Sequence, residues 1–170
     1  LACSAELADG VFPVWMNPDR FDLLEQPLKD GFAKAGGGKS LADFDVSPFV
    51  TVVMGDDVEQ CRVPVKGMLS LYIGGMGARE KNFYNDYAKR LGYEEAAVQI
   101  QDLYLSGKKA EAMAAVPDGL VDDVALVGPR ERIVERLGAW KEAGKKGQVG
   151  SMLLAGASPS VMQLLAEEML

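Results

Sequence analysis

Apolar positions recur along this chain in two rhythms, helical stretches alternating with short, nearly continuous apolar runs. Residues 1–8 have helical composition and are closed by Asp9-Gly10. The apolar run 11–15 then reads as a buried strand weakened by Pro13. Asn17-Pro18 supplies an N-cap and a first-turn proline, opening a helix to about Ala35 that Pro27 should kink or break. Gly36-Gly37-Gly38 follows that helix instead of joining a strand to one. It therefore reads as a C-terminal cap and loop, not as a phosphate cradle. Residues 46–54 give the clearest strand signal. They are β-branched and nearly continuously apolar, as expected of a parallel strand buried on both faces.

Beyond that strand, Asp56 is the expected N-cap of a helix reaching about Tyr72, bent at Pro64. Gly74, Gly75 and Gly77 break it. Helices are then predicted over about 78–91, 93–106 and 108–116, with a short one after Pro117-Asp118. No strand signal occurs between 72 and 124, so residues of about 73–124 form a helical insert. A helix opens at Val127-Gly128-Pro129, with Ile133, Val134, Leu137 and Trp140 on one face. It ends at Ala143-Gly144. Residues 149–154 predict a last strand, and Ser158-Pro159 opens the closing helix. Strands alternating with helices predict an α/β fold, taken as a single domain over 1–170.

Net charge is −7, a balance that repels phosphate backbones and argues against nucleic-acid binding. No apolar run approaches the roughly 18 residues needed to cross a bilayer. Histidine is absent, which removes His-based triads and His–metal sites and leaves acid–base work to carboxylates, Lys, Tyr or a cofactor. Cys3 and Cys61 have no metal-ligand spacing; a buried, reduced thiol is expected at each, and with it a cytoplasmic location. No metal site is expected. The carboxylate pairs Asp56-Asp57 and Asp122-Asp123 read as helix-start residues, since adjacent acids do not share a helix face. Residues 1–8 resemble a helix already under way, as in a piece of a longer chain.

Four phrases, in order, resemble the luciferase-like monooxygenase superfamily, in the branch that uses the deazaflavin coenzyme F420. They are Glu6-Leu7-Ala8-Asp9-Gly10 with Val11-Phe12-Pro13; Val53-Met54-Gly55-Asp56-Asp57; Leu71-Tyr72-Ile73-Gly74-Gly75-Met76-Gly77 with Arg79-Glu80-Lys81-Asn82-Phe83-Tyr84; and Val124-Ala125-Leu126-Val127-Gly128-Pro129. Val11 departs from the family's usual Trp, and residues 145–148 are longer and more polar than the family pattern.

The resemblance implies a TIM (β/α)8 barrel of which this chain holds the C-terminal half, strands six to eight, with the helical insert between the last two. It implies an oxidoreductase moving a hydride between F420, or alternatively FMN, and a small organic substrate. The first five strands and the phosphate-binding turn would lie before Leu1. The isolated piece is therefore expected to be inactive and to need a complementary N-terminal half or self-association. The alternative is a non-catalytic half-barrel remnant that binds a ligand or partner. At the end of the sixth strand Trp15 would line the cofactor pocket, with core packing as the competing role. Arg79 would clamp an anionic group or pair with Glu80 or Asp86. Tyr72 and Tyr84 would reach the substrate or pack with Phe83 and Tyr87. Asn82 would orient a substrate carbonyl or sit on a helix surface.

Overall fold

A computed structural model describes residues 1–155 and 157–170. The chain gathers into two compact units, one of residues 1–54 with 124–170 and one of residues 55–123. The helical excursion thus begins at Gly55, ahead of the expected residue 73, and is a unit of its own.

The first unit is α/β with parallel strands. Helix α1 (Ala2–Leu7) packs on α2 (Asp22–Ala35), where Gly31 admits it: a Cβ there would collide with the Ala2 carbonyl and the Ala5 methyl. Asn17 caps the entry to α2 as its spacing predicts. Its Oδ1 accepts the Asp19 amide at 3.0 Å and opens a 3-10 turn, Pro18–Arg20. Pro27 leaves α2 unbroken. At the far end Gly36, Gly37 and Gly38 all take positive φ, which is the loop role expected of them.

The strand expected over 46–54 is divided by Pro48 into β2 (Asp45–Val46) and β3 (Phe49–Met54), because proline has no N–H for a ladder. The strand expected over 11–15 is likewise broken. Its paired part is β1 (Gly10–Val11), parallel to β2, followed by an isolated bridge from Val14 to Phe49. A further strand that the apolar pattern did not reveal is β4 (Ala125–Gly128), parallel to residues Thr51 to Met54 of β3. The last strand, β5 (Leu153–Ala155), pairs with Phe49 to Thr51. Phe49 meets both Val14 and Leu153, so β1 and β5 occupy opposite edges of the central strand. The order β4-β3-β5 then places β4 on the β1 edge, continuing it after the chain turns away at Trp15.

Helix α8 (Arg130–Lys145) and helix α9 (Pro159–Met169, capped by Ser158) complete this unit. Their apolar stripes meet α2 and one face of the sheet in a core that includes Leu24, Leu28, Val50, Val52, Leu137, Trp140 and Leu164. The opposite face of β3 is not buried as expected. Val50 and Val52 are in the core, but Phe49 is 49% exposed and Thr51 and Val53 are half-buried.

The second unit is helical: α3 (Val58–Gly75), α4 (Phe83–Arg90), α5 (Glu94–Leu105), α6 (Lys109–Ala114) and the greater part of α7 (Asp118–Val124). Asp57, not Asp56, caps α3, accepting the Glu59 and Gln60 amides. Leu69 and Ile73 of α3 and Ile100 of α5 are fully buried. Gly74 and Gly75 let Tyr104 of α5 lie on α3, where any Cβ would strike its ring. Cys61 is buried as expected, whereas Cys3 is exposed on the short helix α1. Among the described residues no helix is long and apolar enough to cross a membrane.

The acidic pair Asp122-Asp123 lies in the last turn of α7, not at a helix start, and its members part company. Asp122 pairs with Arg62, while Asp123 accepts a 2.8 Å hydrogen bond from the Tyr93 hydroxyl. Burial, and then the bond to Asp123, pushes the Tyr93 phenol up to about 12. A phenol whose folded value lies above its ordinary value of about 10 stays neutral while the unfolded chain ionises. Its contribution is complete below pH 10 and is lost as pH rises toward 12. Thermal melts across that window are expected to show falling stability, with a shallower fall in Tyr93→Phe. Equal slopes for the two proteins would remove Tyr93 as the cause.

Candidate functional site

Parallel strands of one sheet end on the same side, and here that edge carries Met54 at the end of β3 and Gly128 at the end of β4, whereas Trp15 leaves the sheet earlier, just past the level of Phe49. Trp15 sits at φ 51, a left-handed conformation that bulky residues seldom adopt. It directs the chain away from the sheet, and its side chain is 6% exposed. Met16 and Asn17, which follow, are buried too. Asn17 Oδ1 also accepts from Arg136 Nη2 at 3.0 Å, and Arg136 pairs with Asp19, so the turn after Trp15 is tied to α8. Strain at such a position points to a required geometry.

One further residue on this edge went unnoticed in the sequence. Arg132, in the first turn of α8, donates from Nε to the Val127 carbonyl at 3.1 Å, which fixes a guanidinium beside the end of β4. Only the pairing of β4 with β3, invisible in the local pattern, could have drawn attention to it. Among the described residues no group of three or more Cys, Asp or Glu is arranged to hold a metal ion.

The remaining candidates lie in the helical unit, and three of them come together. Asn82 is not on a helix surface. It is the N-cap of α4 and is 1% exposed. Its Nδ2 donates to the Tyr72 and Ile73 carbonyls at 3.0 and 2.9 Å, and its Oδ1 accepts the Tyr84 and Asn85 amides at 3.0 and 3.1 Å. An asparagine amide has two donors and two acceptor lone pairs, and all are engaged, leaving none for a substrate carbonyl. What Asn82 does is hold the end of α3 against the start of α4. That brings the Tyr72 and Tyr84 rings edge to face, with centroids 4.7 Å apart. Phe83 packs edge-on to Tyr84 and stacks on Tyr87. Arg79 stands apart, in an exposed ion pair with Asp102 of α5 instead of Glu80 or Asp86.

Residues 1–146 match the model of the luciferase-like monooxygenase family. The chain belongs to that family. It is 35% identical over 166 residues to a putative coenzyme F420-dependent oxidoreductase of Mycobacterium tuberculosis, a match that takes in 98% of this chain and 47% of that protein. It is 22% identical to a 5,10-methylenetetrahydromethanopterin reductase of Archaeoglobus fulgidus, over 100% of this chain and 50% of the relative. The chain therefore spans about half the length of the curated relatives it matches. Among solved structures, the coenzyme F420-dependent tetrahydromethanopterin reductase of Methanopyrus kandleri superposes with a TM-score of 0.70 at 19% identity, over 98% of this chain and 46% of that one, a likeness of fold. The α/β architecture expected from the sequence agrees with this.

Toward a deazaflavin the described residues offer apolar contact from the half-buried Met54 at the end of β3 and from Trp15, which is 6% exposed and level with the start of β3.

Proposed function

We propose that β1, the β2–β3 pair and β5 are the sixth, seventh and eighth strands of a (β/α)8 barrel, and that the chain forms the C-terminal half of an F420-dependent oxidoreductase acting on a small organic substrate. The observation that carries this reading is the half-open sheet. Its strands are parallel, Val50 and Val52 face the core, and on the other face Phe49 is 49% exposed while Thr51 and Val53 are half-buried. A closed barrel buries that face in its interior. The relatives have about twice the length. The likeness to the putative coenzyme F420-dependent oxidoreductase of M. tuberculosis supports F420 over FMN.

Bound F420 supplies hydride transfer; the protein binds, orients and desolvates. In this reading Trp15 lines the ring pocket and the strained turn after it fixes that wall. In the helical unit the candidates for the substrate are Tyr72 and Tyr84, whose phenols offer donors in a chain without histidine. Arg79 attracts an anionic substrate. Its pair with Asp102 is solvent-screened, worth about 0–1 kcal/mol, and so readily exchanged. Asn82 positions the tyrosines and touches no ligand. The partner is a complementary N-terminal half, and the isolated chain is without activity.

The test joins this chain to the N-terminal half of the M. tuberculosis relative and follows deazaflavin fluorescence, with FMN as control. Saturable F420 binding that the 170-residue chain alone lacks is expected. Trp15→Phe should weaken it about fivefold, corresponding to roughly 1 kcal/mol of lost ring contact. A folded chimera that binds neither cofactor sinks the enzyme reading and leaves a half-barrel that binds a partner or ligand without turnover.

A further inference from the structure

The chain on either side of Trp15 is held in two different ways. Before it the hold is backbone pairing: the Phe49 amide donates to the Pro13 carbonyl at 3.2 Å, and Val14 bridges Phe49. After it, from Met16 to Asp19, side chains take over. The Asn17 carboxamide oxygen has two acceptor lone pairs, and both are taken. The Asp19 amide donates to one and Arg136 Nη2 to the other, each at 3.0 Å. The first bond is internal to the turn and shapes it. The second comes from 119 positions away and fixes where the turn lies. Arg136 also donates through Nη1 to the Asp19 carboxylate. One guanidinium therefore grips two residues of the turn through two different nitrogens.

Helix α8 gives that grip a firm base. Arg136 stands between Ile133 and Trp140 at helical spacing, and both of those are buried in the core with Leu137. One turn earlier on the same helix, Arg132 donates to the Val127 carbonyl in β4. Two arginines at i and i+4 thus register two segments, the Trp15 turn and the end of β4, against a single helix. Trp15 requires such a hold. A bulky residue keeps a left-handed backbone only where its surroundings over-determine it.

We infer that Arg136 is a positioning residue, whose fork on Asn17 and Asp19 holds Trp15 in its left-handed, buried place. That Trp15 faces a cofactor rests on the function proposed above; that Arg136 places Trp15 does not. The fork matters more than the charge. A lysine ammonium can pair with Asp19, but it lacks the rigid planar pair of donors that meets Asn17 and Asp19 together. Arg136→Lys is therefore expected to release Trp15 much as Arg136→Met does.

The test uses the 170-residue chain labelled with fluorotryptophan. Its two tryptophans, Trp15 and Trp140, give one fluorine resonance each, assigned with Trp15→Phe. In Arg136→Lys and Arg136→Met the Trp15 resonance should shift and acquire a solvent-isotope effect in heavy water, as the ring leaves its buried place. Trp140, one turn further along α8, should keep its shift, which separates lost position from general loosening. Asp19→Asn keeps an acceptor for Nη1 and should leave Trp15 where it is. An unmoved Trp15 resonance in folded Arg136→Met overturns the inference. So does full restoration by lysine, or movement of both resonances together. A chimera that binds no F420 while Trp15 still shifts in Arg136→Lys removes the cofactor reading and leaves the positioning role standing.

Discussion

Replacing Asn82 by alanine is expected to destabilise the helical unit by about 2–4 kcal/mol. Loss of an N-cap alone costs about 1 kcal/mol. Here the same side chain also satisfies carbonyls at the end of α3, and burial denies those groups water. A buried polar group left without a partner costs about 1–3 kcal/mol. Asn85 Nδ2 still reaches the Ile73 carbonyl at 3.2 Å, so the Tyr72 carbonyl bears most of the loss. Asn82→Ser keeps an acceptor for the α4 amides and loses the donors, and should recover about the capping share. Urea unfolding separates the three proteins. Hydrogen exchange should show α4 opening first, because its cap is what fails. A loss in Asn82→Ala below about 1 kcal/mol would mean that the amide network is not what joins α3 to α4.

This residue shows where sequence reasoning stopped. Ala78, Arg79, Glu80 and Lys81 are good helix formers, so a helix start near 78 was the natural expectation. The chain instead folds back through a turn in which the Lys81 amide bonds the Ala78 carbonyl. Gly77 packs against the Lys81 carbonyl and the Asn82 Cα, too close for any Cβ. The helix waits until Asn82 can cap it. That choice is made by contacts across the turn, not by the propensity of the residues in it.

Features governed by neighbours in sequence were legible. Asn17 and Ser158 cap as their spacing indicates, and the glycines at 36–38 form a loop. The β-branched run around Val50 and Val52 is the central strand. Features governed by distant partners were not. Ala125 to Gly128 looked like the approach to α8 because four apolar residues before a proline carry no period. They form a strand because β1 leaves the edge of β3 open beyond Phe49. The exposed side of Phe49 was hidden by the same run, since continuous apolarity fits burial on two faces as well as on one. At the candidate site, the sequence located Tyr72 and Tyr84 but not the cap that pairs them, and located Trp15 but not its left-handed backbone.

Arg62 is a similar case, and its replacement should have an effect of comparable size. Nothing local marks it. It lies in the middle of α3, and its main partner is 60 positions away. Its side chain is 10% exposed and grips Asp122 with two bonds, Nε to Oδ1 at 3.2 Å and Nη2 to Oδ2 at 2.6 Å. Nη1 reaches Glu59 and Asp118, and Lys66 pairs with Asp118 as well. The bonds to Asp122 hold the guanidinium above its ordinary range against the opposing effect of burial, so it stays charged at every accessible pH. The bond from Lys66, with the charges of Lys66 and Arg62, holds the Asp118 carboxyl below its usual range. That contribution is present above the unfolded carboxylate value of about 3.9 and fades as pH falls through the lower folded value.

Removing one partner from a buried pair costs about 3–5 kcal/mol, since the other charge is left desolvated. Asp122 is 29% exposed and Asp118 45%, and water relieves part of that cost. Arg62→Met is therefore expected to lose about 2–3 kcal/mol at neutral pH, and less in acid. Adding Asp122→Leu to Arg62→Met should restore much of the loss, because an apolar pair of similar volume replaces a buried ion pair at little cost. Chemical denaturation of the four proteins in the cycle reads the coupling directly. If the double variant is no more stable than Arg62→Met, the cost lies in lost packing of the arginine stem and the charges are incidental. If it recovers, the ion network at the α3–α7 contact is what joins the last helix of this unit to the first.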